Sequence, residues 1–108
     1  MGAAVPTIRQ LKYLIVLSET LNFRQASEKL FITQSTLSAG IKELERTLGA
    51  VLLERTKRSV RLTNIGKEVL ERALSIASQA DYLARIKDHI KKPLSGTLKL
   101  GIIPTIAP

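Results

Sequence analysis

The side chains best suited to molecular recognition lie on one face of a helix predicted over residues 34–48. Leucines and isoleucines recur there in steps of four, three and four, which puts them together on one side of the helix. Short polar side chains near a helix N-terminus can approach DNA base edges closely, and the helix dipole attracts phosphate. We therefore expect the opposite side to enter the major groove of double-stranded DNA. That side carries Ser35, Ser38, Ala39, Lys42 and Arg46, with Gln34 near its boundary.

The contacts expected along this face differ in kind. Gln34 can make a bidentate contact to adenine, and the methyl group of Ala39 can meet the methyl group of thymine. Thr36 and Lys42 are expected to reach phosphates rather than bases. An ordinary amphipathic helix in a small bundle is the alternative for this helix taken alone.

A basic hairpin is predicted directly after this helix. Residues 51–55 and 59–62 are short β-prone runs separated by a basic turn. We expect Arg55, Lys57 and Arg58 to form a wing that enters an A/T-rich minor groove or holds the DNA backbone. A solvated charged turn is the alternative for Lys57 and Arg58.

Capping residues indicate where the supporting helices begin and end. Thr7 opens a capping box before a helix expected over residues 8–19, and Asn22 caps a second, shorter helix. Thr33 caps the recognition helix described above, and Gly49 is suited to end it. The predicted fold class is mainly α: a winged helix-turn-helix of three helices plus a two-stranded wing, followed by a long linker or dimerisation helix.

The long helix, capped by Thr63, carries an apolar heptad seam. Its apolar residues alternate steps of four and three, with Lys87 at the interrupted position. This helix would be a rod of about 40 Å, longer than the small domain can cover. We therefore expect its remaining apolar face to pair with a second copy, in a homodimer that presents two recognition helices to a palindromic operator. Packing against the first helix is the alternative for the first turns. The expected interface residues are Val69, Ala73, Ile76, Ala80, Leu83 and Ile90.

Composition narrows the classes of function. The chain has 108 residues, a net charge of +8, no cysteine and one histidine. The positive charge suits nucleic acid or an anionic membrane surface. His89 is expected on a helix surface and the acids form no paired constellation, so we expect no enzyme and no cofactor or metal site. Without a signal peptide or an apolar run long enough to span a bilayer, a cytoplasmic protein is expected. A basic helical protein-interaction or membrane-surface module is the alternative function.

The capping, recognition and wing residues described above resemble, in type and in spacing, those of the LysR-type transcriptional regulators. The resemblance covers nearly the whole chain. The resemblance implies sequence-specific DNA binding, with Gln34, Ser35, Ser38 and Ala39 facing the major groove, and an antiparallel dimer through the long helix. Two segments, LLERTKRSV and GTLKLGIIPTIAP, resemble the OxyR branch, which senses peroxide. The family pattern is carried by Ala26, Ser27, Leu30, Thr33, Gln34, Ser38, Ile41, Leu44, Glu45, Leu48, Gly49, Leu52, Arg55, Leu62, Thr63 and Gly66.

The chain departs from the family pattern on the recognition helix. Ser35 stands where proline is frequent, and Ala39 stands where many members have a basic residue. Gly40 follows, and a glycine inside a helix costs about 0.5–1 kcal/mol relative to alanine. Gly40 is therefore expected to allow a close approach or some bending, and a long base-reading side chain is missing at Ala39.

The expected domain organisation has four parts. Residues 1–63 form the DNA-binding domain, residues 64–92 the long helix and residues 93–97 a hinge. Residues 98–108 are expected to be the first strand of an effector-binding domain that the resemblance implies and that this chain lacks. The resemblance also allows a higher oligomer in the full-length protein.

Overall fold

The computed structural model describes residues 4–91 of the chain. The predicted fold class is confirmed, with three helices, a two-stranded antiparallel sheet and a long helix. The predicted hinge at 93–97 and the predicted strand at 98–108 lie outside the described residues. In chain order the elements are α1 (Ile8–Thr20), α2 (Phe23–Leu30), α3 (Gln34–Leu48), β1 (Leu53–Arg55), β2 (Val60–Leu62) and α4 (Asn64–Lys91).

Side-chain caps determine where the first three helices begin, as predicted. The Thr7 hydroxyl accepts a hydrogen bond from the backbone N–H of Gln10, and the Gln10 side chain accepts one from the N–H of Thr7. Asn22 and Thr33 accept in the same way from N–H groups three residues later, at 2.8 and 3.1 Å. Each cap satisfies a backbone donor that the first turn of a helix leaves unpaired.

The first three helices all end on a residue in the left-handed conformation. Gly49, the predicted C-cap of α3, has φ of 67°. Leu21 and Phe31 adopt φ of 51° and 59° at the ends of α1 and α2, where a side chain costs about 1–2 kcal/mol. At the end of α2 the N–H of Ile32 donates to the carbonyl of Ser27 at 3.0 Å. This bond closes the turn tightly and brings α3 back across α2 without a glycine.

Aliphatic side chains from all of the early elements meet in one core. The largest fully buried side chains come from α1, from α3 and from the segment before β1. The small side chains of Ala26 and Ser27 are buried on α2, which packs against α1 and α3. The Ser27 hydroxyl donates to the carbonyl of Arg24 at 2.8 Å, so its burial leaves no unpaired group. The fully buried large residues are Leu14, Leu17, Leu37, Ile41, Leu44 and Leu52.

Two glycines allow close approaches between elements. A Cβ on Gly40 would lie 2.6 Å from Cδ2 of Tyr13, so α3 lies directly against a tyrosine ring of α1. A Cβ on Gly66 would lie 2.2 Å from the carbonyl oxygen of Leu52, so α4 begins directly against the segment that leads into β1. The close approach expected at Gly40 is therefore present.

The described residues fall into two compact units, the first ending at Ser78 and the second beginning at Gln79. The first unit contains the three-helix core, the wing and the early turns of α4. In the second unit the Arg85 guanidinium carbon lies 5.9 Å from the centre of the Tyr82 ring. Among residues 4–91, no helix has the length and apolarity needed to cross a membrane.

Candidate nucleic-acid interface

The outer face of α3 carries the predicted recognition residues. Leu37, Ile41 and Leu44 are buried on its inner side, as the spacing predicts. Ser38 is half-buried, at the border between the two sides. The remaining predicted contact residues of this helix are exposed: Gln34, Ser35, Thr36, Ala39 and Lys42.

The N-terminus of α3 is organised around Thr33. Its hydroxyl accepts from the backbone N–H of Thr36 at 3.1 Å and donates to the hydroxyl of Thr36 at 2.9 Å. The Ser35 hydroxyl lies 3.2 Å from the same oxygen. No acidic side chain lies in the first turn of α3, so the positive end of the helix dipole is open to an anion.

The wing is a short antiparallel hairpin. Leu53 pairs with Leu62, Glu54 with Arg61 and Arg55 with Val60. Both strands are shorter than predicted: β1 begins two residues later, because a backbone group before it bonds elsewhere, and β2 begins one residue later, after Ser59 in the turn. The N–H of Leu52 donates to the Glu45 carboxylate at 2.9 Å instead of to a strand.

Hydrogen bonds within the wing tip hold its two basic residues in place. The Thr56 hydroxyl accepts from the backbone N–H groups of Arg58 and Ser59, at 3.2 and 3.0 Å. The N–H of Thr56 donates to the carbonyl of Ser59 at 2.8 Å. Lys57 and Arg58 are exposed and form no ion pair within residues 4–91. The tip therefore presents two unneutralised positive charges on a turn of fixed shape.

Arg55 does not extend toward the tip but folds back over the helices. Its guanidinium carbon lies 3.9 Å from the centre of the Phe23 ring. One of its nitrogens, Nη2, donates to the hydroxyl oxygen of Ser38 at 3.0 Å. This arrangement joins the wing to the first residue of α2 and to the recognition face of α3. Sequence reasoning missed Phe23, because no spacing rule relates residues so far apart in the chain.

A polar groove of about 330 Å³ lies between the start of α2, the start of α3 and the wing. Its wall includes four basic residues. Arg24, one of them, is paired with Glu28 at 3.1 Å. The groove is lined by Leu21, Asn22, Phe23, Arg24, Gln34, Arg55, Thr56, Lys57, Arg58, Ser59 and Val60. Basic and hydrogen-bonding groups around an open groove suit a chain of phosphates.

Two residues outside the interface fix the wing to the helices. The Glu45 carboxylate of α3 accepts from the N–H groups of Leu52 and Leu53. The Thr63 hydroxyl donates to the carbonyl of Val51 at 2.7 Å and accepts from the N–H of Gly66 at 3.0 Å. Thr63 thus caps α4, as predicted, and also holds the segment that leads into β1. The orientation of the wing relative to α3 therefore depends on the two half-buried hydrogen bonds that Glu45 accepts.

The predicted seam residues of α4 differ in exposure. Ala73 is fully buried in the core and Val69 is packed against it, so the alternative of packing within the chain holds for these turns. Ile76, Leu83 and Ile90 expose 42%, 66% and 75% of their surface. Ala80 is half-buried.

The described part of the chain offers little for catalysis or metal binding. Among residues 4–91 no group of three or more histidine, cysteine, aspartate or glutamate side chains is placed to hold a metal ion. The side chains brought together by α3 and the wing are donors, hydroxyls and cations, which suit the recognition of a polar, anionic ligand.

A three-helix core with a capped recognition helix and a basic hairpin defines the chain as a winged helix-turn-helix protein. Residues 8–67 match the family described as bacterial regulatory helix-turn-helix protein, lysR family. The chain belongs to this family, as the resemblance of its motifs predicted.

Comparison with individual relatives refines this assignment. EstR, an HTH-type transcriptional regulator of Acinetobacter baylyi, is 55% identical over 98% of this chain and 35% of its own length. The transcriptional dual regulator OxyR of Escherichia coli is 38% identical over 94% of this chain and 33% of its own length. The predicted similarity to OxyR is confirmed, while EstR shares more residues. The chain spans about a third of the length of these two relatives.

A solved structure has the same fold and contains DNA. The DNA-binding domain of BenM in complex with catB site 1 DNA superimposes with a TM-score of 0.76 at 34% identity. The match covers 85% of this chain and 99% of that one.

Proposed function

We propose that this chain is the DNA-binding part of a LysR-type transcriptional regulator and binds double-stranded DNA in a sequence-specific manner. One observation carries the proposal: the exposed polar face of α3 and the basic tip of the wing border the same groove. A helix of that polarity fits the major groove, and a basic hairpin fits the adjacent minor groove or backbone. The DNA in the related BenM complex supports the proposal. Since the proposed partner is the DNA of a bacterium, we propose that the chain lies in the cytoplasm.

The proposed contacts divide into base-reading and phosphate-binding groups. Gln34, Ser35, Ser38 and Ala39 read base edges in the major groove. Phosphates are held by Thr36, Lys42, Arg55, Lys57 and Arg58. Since the N–H of Thr36 is already used by the Thr33 cap, the phosphate at the start of α3 binds the N–H groups of Gln34 and Ser35.

We also propose that the chain acts as a homodimer on a palindromic operator. The exposed seam residues Ile76, Leu83 and Ile90 are apolar, and burying apolar surface stabilises about 25 cal/mol per Å². An apolar groove of about 220 Å³ lies beside Ile76, between Pro6, Leu48 and Val69 among others. A second copy of α4, packed antiparallel, would cover both the exposed seam residues and this groove. In this organisation residues 1–63 bind DNA, 64–92 pair the copies, 93–97 are the hinge and 98–108 begin the effector-binding domain.

Binding to duplexes selected from a random library tests this function. Lys57→Ala should weaken binding to selected and random duplexes alike, and should reduce the slope of log affinity against log salt by about 0.9 for one lost phosphate contact. Gln34→Ala should instead reduce the ratio of affinities for selected and random DNA. Equal loss on both DNAs for Gln34→Ala would contradict its base-reading role. Binding to anionic vesicles in preference to duplex DNA would favour the membrane-surface alternative.

A further inference from the structure

We propose that Phe23 is a positioning residue for base recognition: it holds Arg55 against Ser38 and so determines which hydrogen-bonding group Ser38 presents to DNA. The inference rests on the proposed function, in which Ser38 faces the major groove. It assigns a role to a side chain of α2 that lies outside the predicted contact residues.

The ring of Phe23 supplies a fixed surface for the guanidinium group. Phe23 is half-buried and packs against the hydrophobic core, so its ring cannot turn freely. The guanidinium carbon of Arg55 lies 3.9 Å from the ring centre, well within the range of a cation–π contact. Because a guanidinium group is planar and rigid, stacking it on a fixed ring also fixes the directions of its N–H groups.

One of those N–H groups is used on Ser38. Nη2 of Arg55 donates to the Ser38 hydroxyl oxygen at 3.0 Å. Arginine has donors and no acceptor, so the serine oxygen must be the acceptor in this bond. The bond is charge-assisted, and such bonds are stronger than those between neutral groups.

The bond from Arg55 leaves Ser38 as a hydrogen-bond donor toward DNA. Within residues 4–91 no group accepts a hydrogen bond from the Ser38 hydroxyl. In the major groove, guanine N7 and O6, adenine N7 and thymine O4 are acceptors, while the N4 amino group of cytosine is a donor. The Ser38 oxygen keeps a second lone pair, but accepting from a charged guanidinium polarises the hydroxyl, which makes its O–H a better donor and makes that lone pair a weaker acceptor for the amino group of cytosine. The Phe23–Arg55–Ser38 arrangement therefore favours a base acceptor over cytosine at the position that Ser38 faces.

Duplexes selected from a random library by the unmodified chain provide the probe. Ser38→Ala identifies the base pair that Ser38 reads, as the one position where the preference is lost. Phe23→Leu keeps an apolar side chain and removes the aromatic face. We expect it to reduce discrimination at that base pair by about threefold to tenfold, the value of one hydrogen bond, and to leave preferences at the other positions unchanged. The chain's other phenylalanine provides the matched control, because Phe31 is 94% exposed and Phe31→Leu should alter no preference.

The outcomes separate this inference from the function on which it rests. If the unmodified chain selects no sequence, the proposed function itself fails. If it selects sequences and Phe23→Leu keeps the preference at the Ser38 position, or loses affinity equally at all positions, only the positioning role is overturned. Phe23→Leu in the Ser38→Ala background should cause no further change at that position, and a further change would contradict action through Ser38.

A second variant covers the case in which Phe23→Leu does not fold, as judged by circular dichroism. Arg55 is exposed, so Arg55→Lys leaves the core intact and keeps the positive charge. Lysine cannot stack as a planar group or direct its N–H groups in the same way. Arg55→Lys should relax the same base preference by about the same factor, and an unchanged preference would overturn the proposal.

Discussion

Gly40→Ala should destabilise the folded chain, although alanine is the better helix former. Alanine in a helix interior is favoured over glycine by about 0.5–1 kcal/mol. A Cβ at position 40, however, would lie 2.6 and 2.7 Å from two ring carbons of Tyr13. Ordinary contact begins at 3.4 Å, so the ring must move by about 0.8 Å. Tyr13 is only 8% exposed and belongs to the core, where inserting a carbon typically costs about 1–3 kcal/mol. The net expectation is a loss of about 1 kcal/mol in the free energy of unfolding.

A double-mutant cycle isolates the contact between Gly40 and Tyr13. Tyr13→Val removes the two ring carbons that would clash and keeps a γ carbon, the position that lies 4.0 Å from the ideal Cβ. In that background Gly40→Ala should raise the free energy of unfolding by about 0.5–1 kcal/mol, because only the helix preference remains. The sign of the effect therefore reverses between the two backgrounds, with a coupling of about 1–3 kcal/mol.

Urea unfolding followed by circular dichroism measures all four variants of the cycle. Protein concentration must be held constant, because a dimer becomes more stable as it is concentrated. Ala39→Gly is the matched control, since Ala39 is the exposed neighbour on the same helix and reports the local cost of glycine without a tyrosine contact. If Gly40→Ala stabilises both backgrounds by the same amount, the reasoning about Tyr13 is refuted.

Three further substitutions test the supporting structure. Thr33→Ala removes the cap bonded to the N–H of Thr36 and should lower stability by about 1 kcal/mol in urea unfolding; an unchanged midpoint would show that the cap contributes nothing. Gly66→Ala should cost more than Gly40→Ala, about 3 kcal/mol, because its Cβ would meet a backbone oxygen at 2.2 Å that no rotamer change can move; a smaller loss than at Gly40 would contradict this. Leu83→Glu should convert the dimer to monomer in light scattering, because it places a charge on an exposed apolar side chain of the seam. Ser78→Glu, at an exposed position opposite the seam, should leave the dimer intact, and equal behaviour of the two variants would argue against the seam.

Local signals predicted the helices well, because helix ends are set by residues close in the chain. Thr7, Asn22 and Thr33 each bond to a backbone group three residues away. Both partners of each capping bond therefore lie within the short stretch of sequence from which the cap was predicted. Gly49 ends α3 through its own positive φ. These features need no knowledge of the tertiary fold.

The first strand was predicted to begin too early, because backbone groups of the residues before it bond to other elements. The N–H of Leu52 bonds to Glu45 of α3, and the carbonyl of Val51 accepts from the Thr63 hydroxyl. Both residues have the β-prone side chains expected of a strand, but their backbone groups are already used. Propensity describes a side chain on a pleated surface and does not reveal which partner satisfies the backbone.

The heptad pattern of α4 could not distinguish burial within one chain from burial between two. Val69 and Leu83 lie two heptads apart and occupy the same position of the repeat, yet Val69 packs against the core of its own chain and Leu83 is 66% exposed. An apolar stripe indicates that one face of a helix will be buried. Only the tertiary fold shows which part of that face is buried by the same chain. We therefore place the start of the proposed dimer seam near Ile76, which is 42% exposed.

The three departures from the family pattern on α3 now separate into two kinds. Gly40 is half-buried against Tyr13, so its missing side chain serves the packing of α3 on α1. Ser35 and Ala39 are exposed on the face proposed to enter the major groove, so we expect their short side chains to alter which bases can be read. Longer polar side chains at these two positions would reach base edges without disturbing the core, whereas a side chain at position 40 would displace the tyrosine that supports the recognition helix. We therefore expect that base preference can be changed at 35 and 39 without disturbing the core, and that a change at 40 would also alter the packing of α3 on α1.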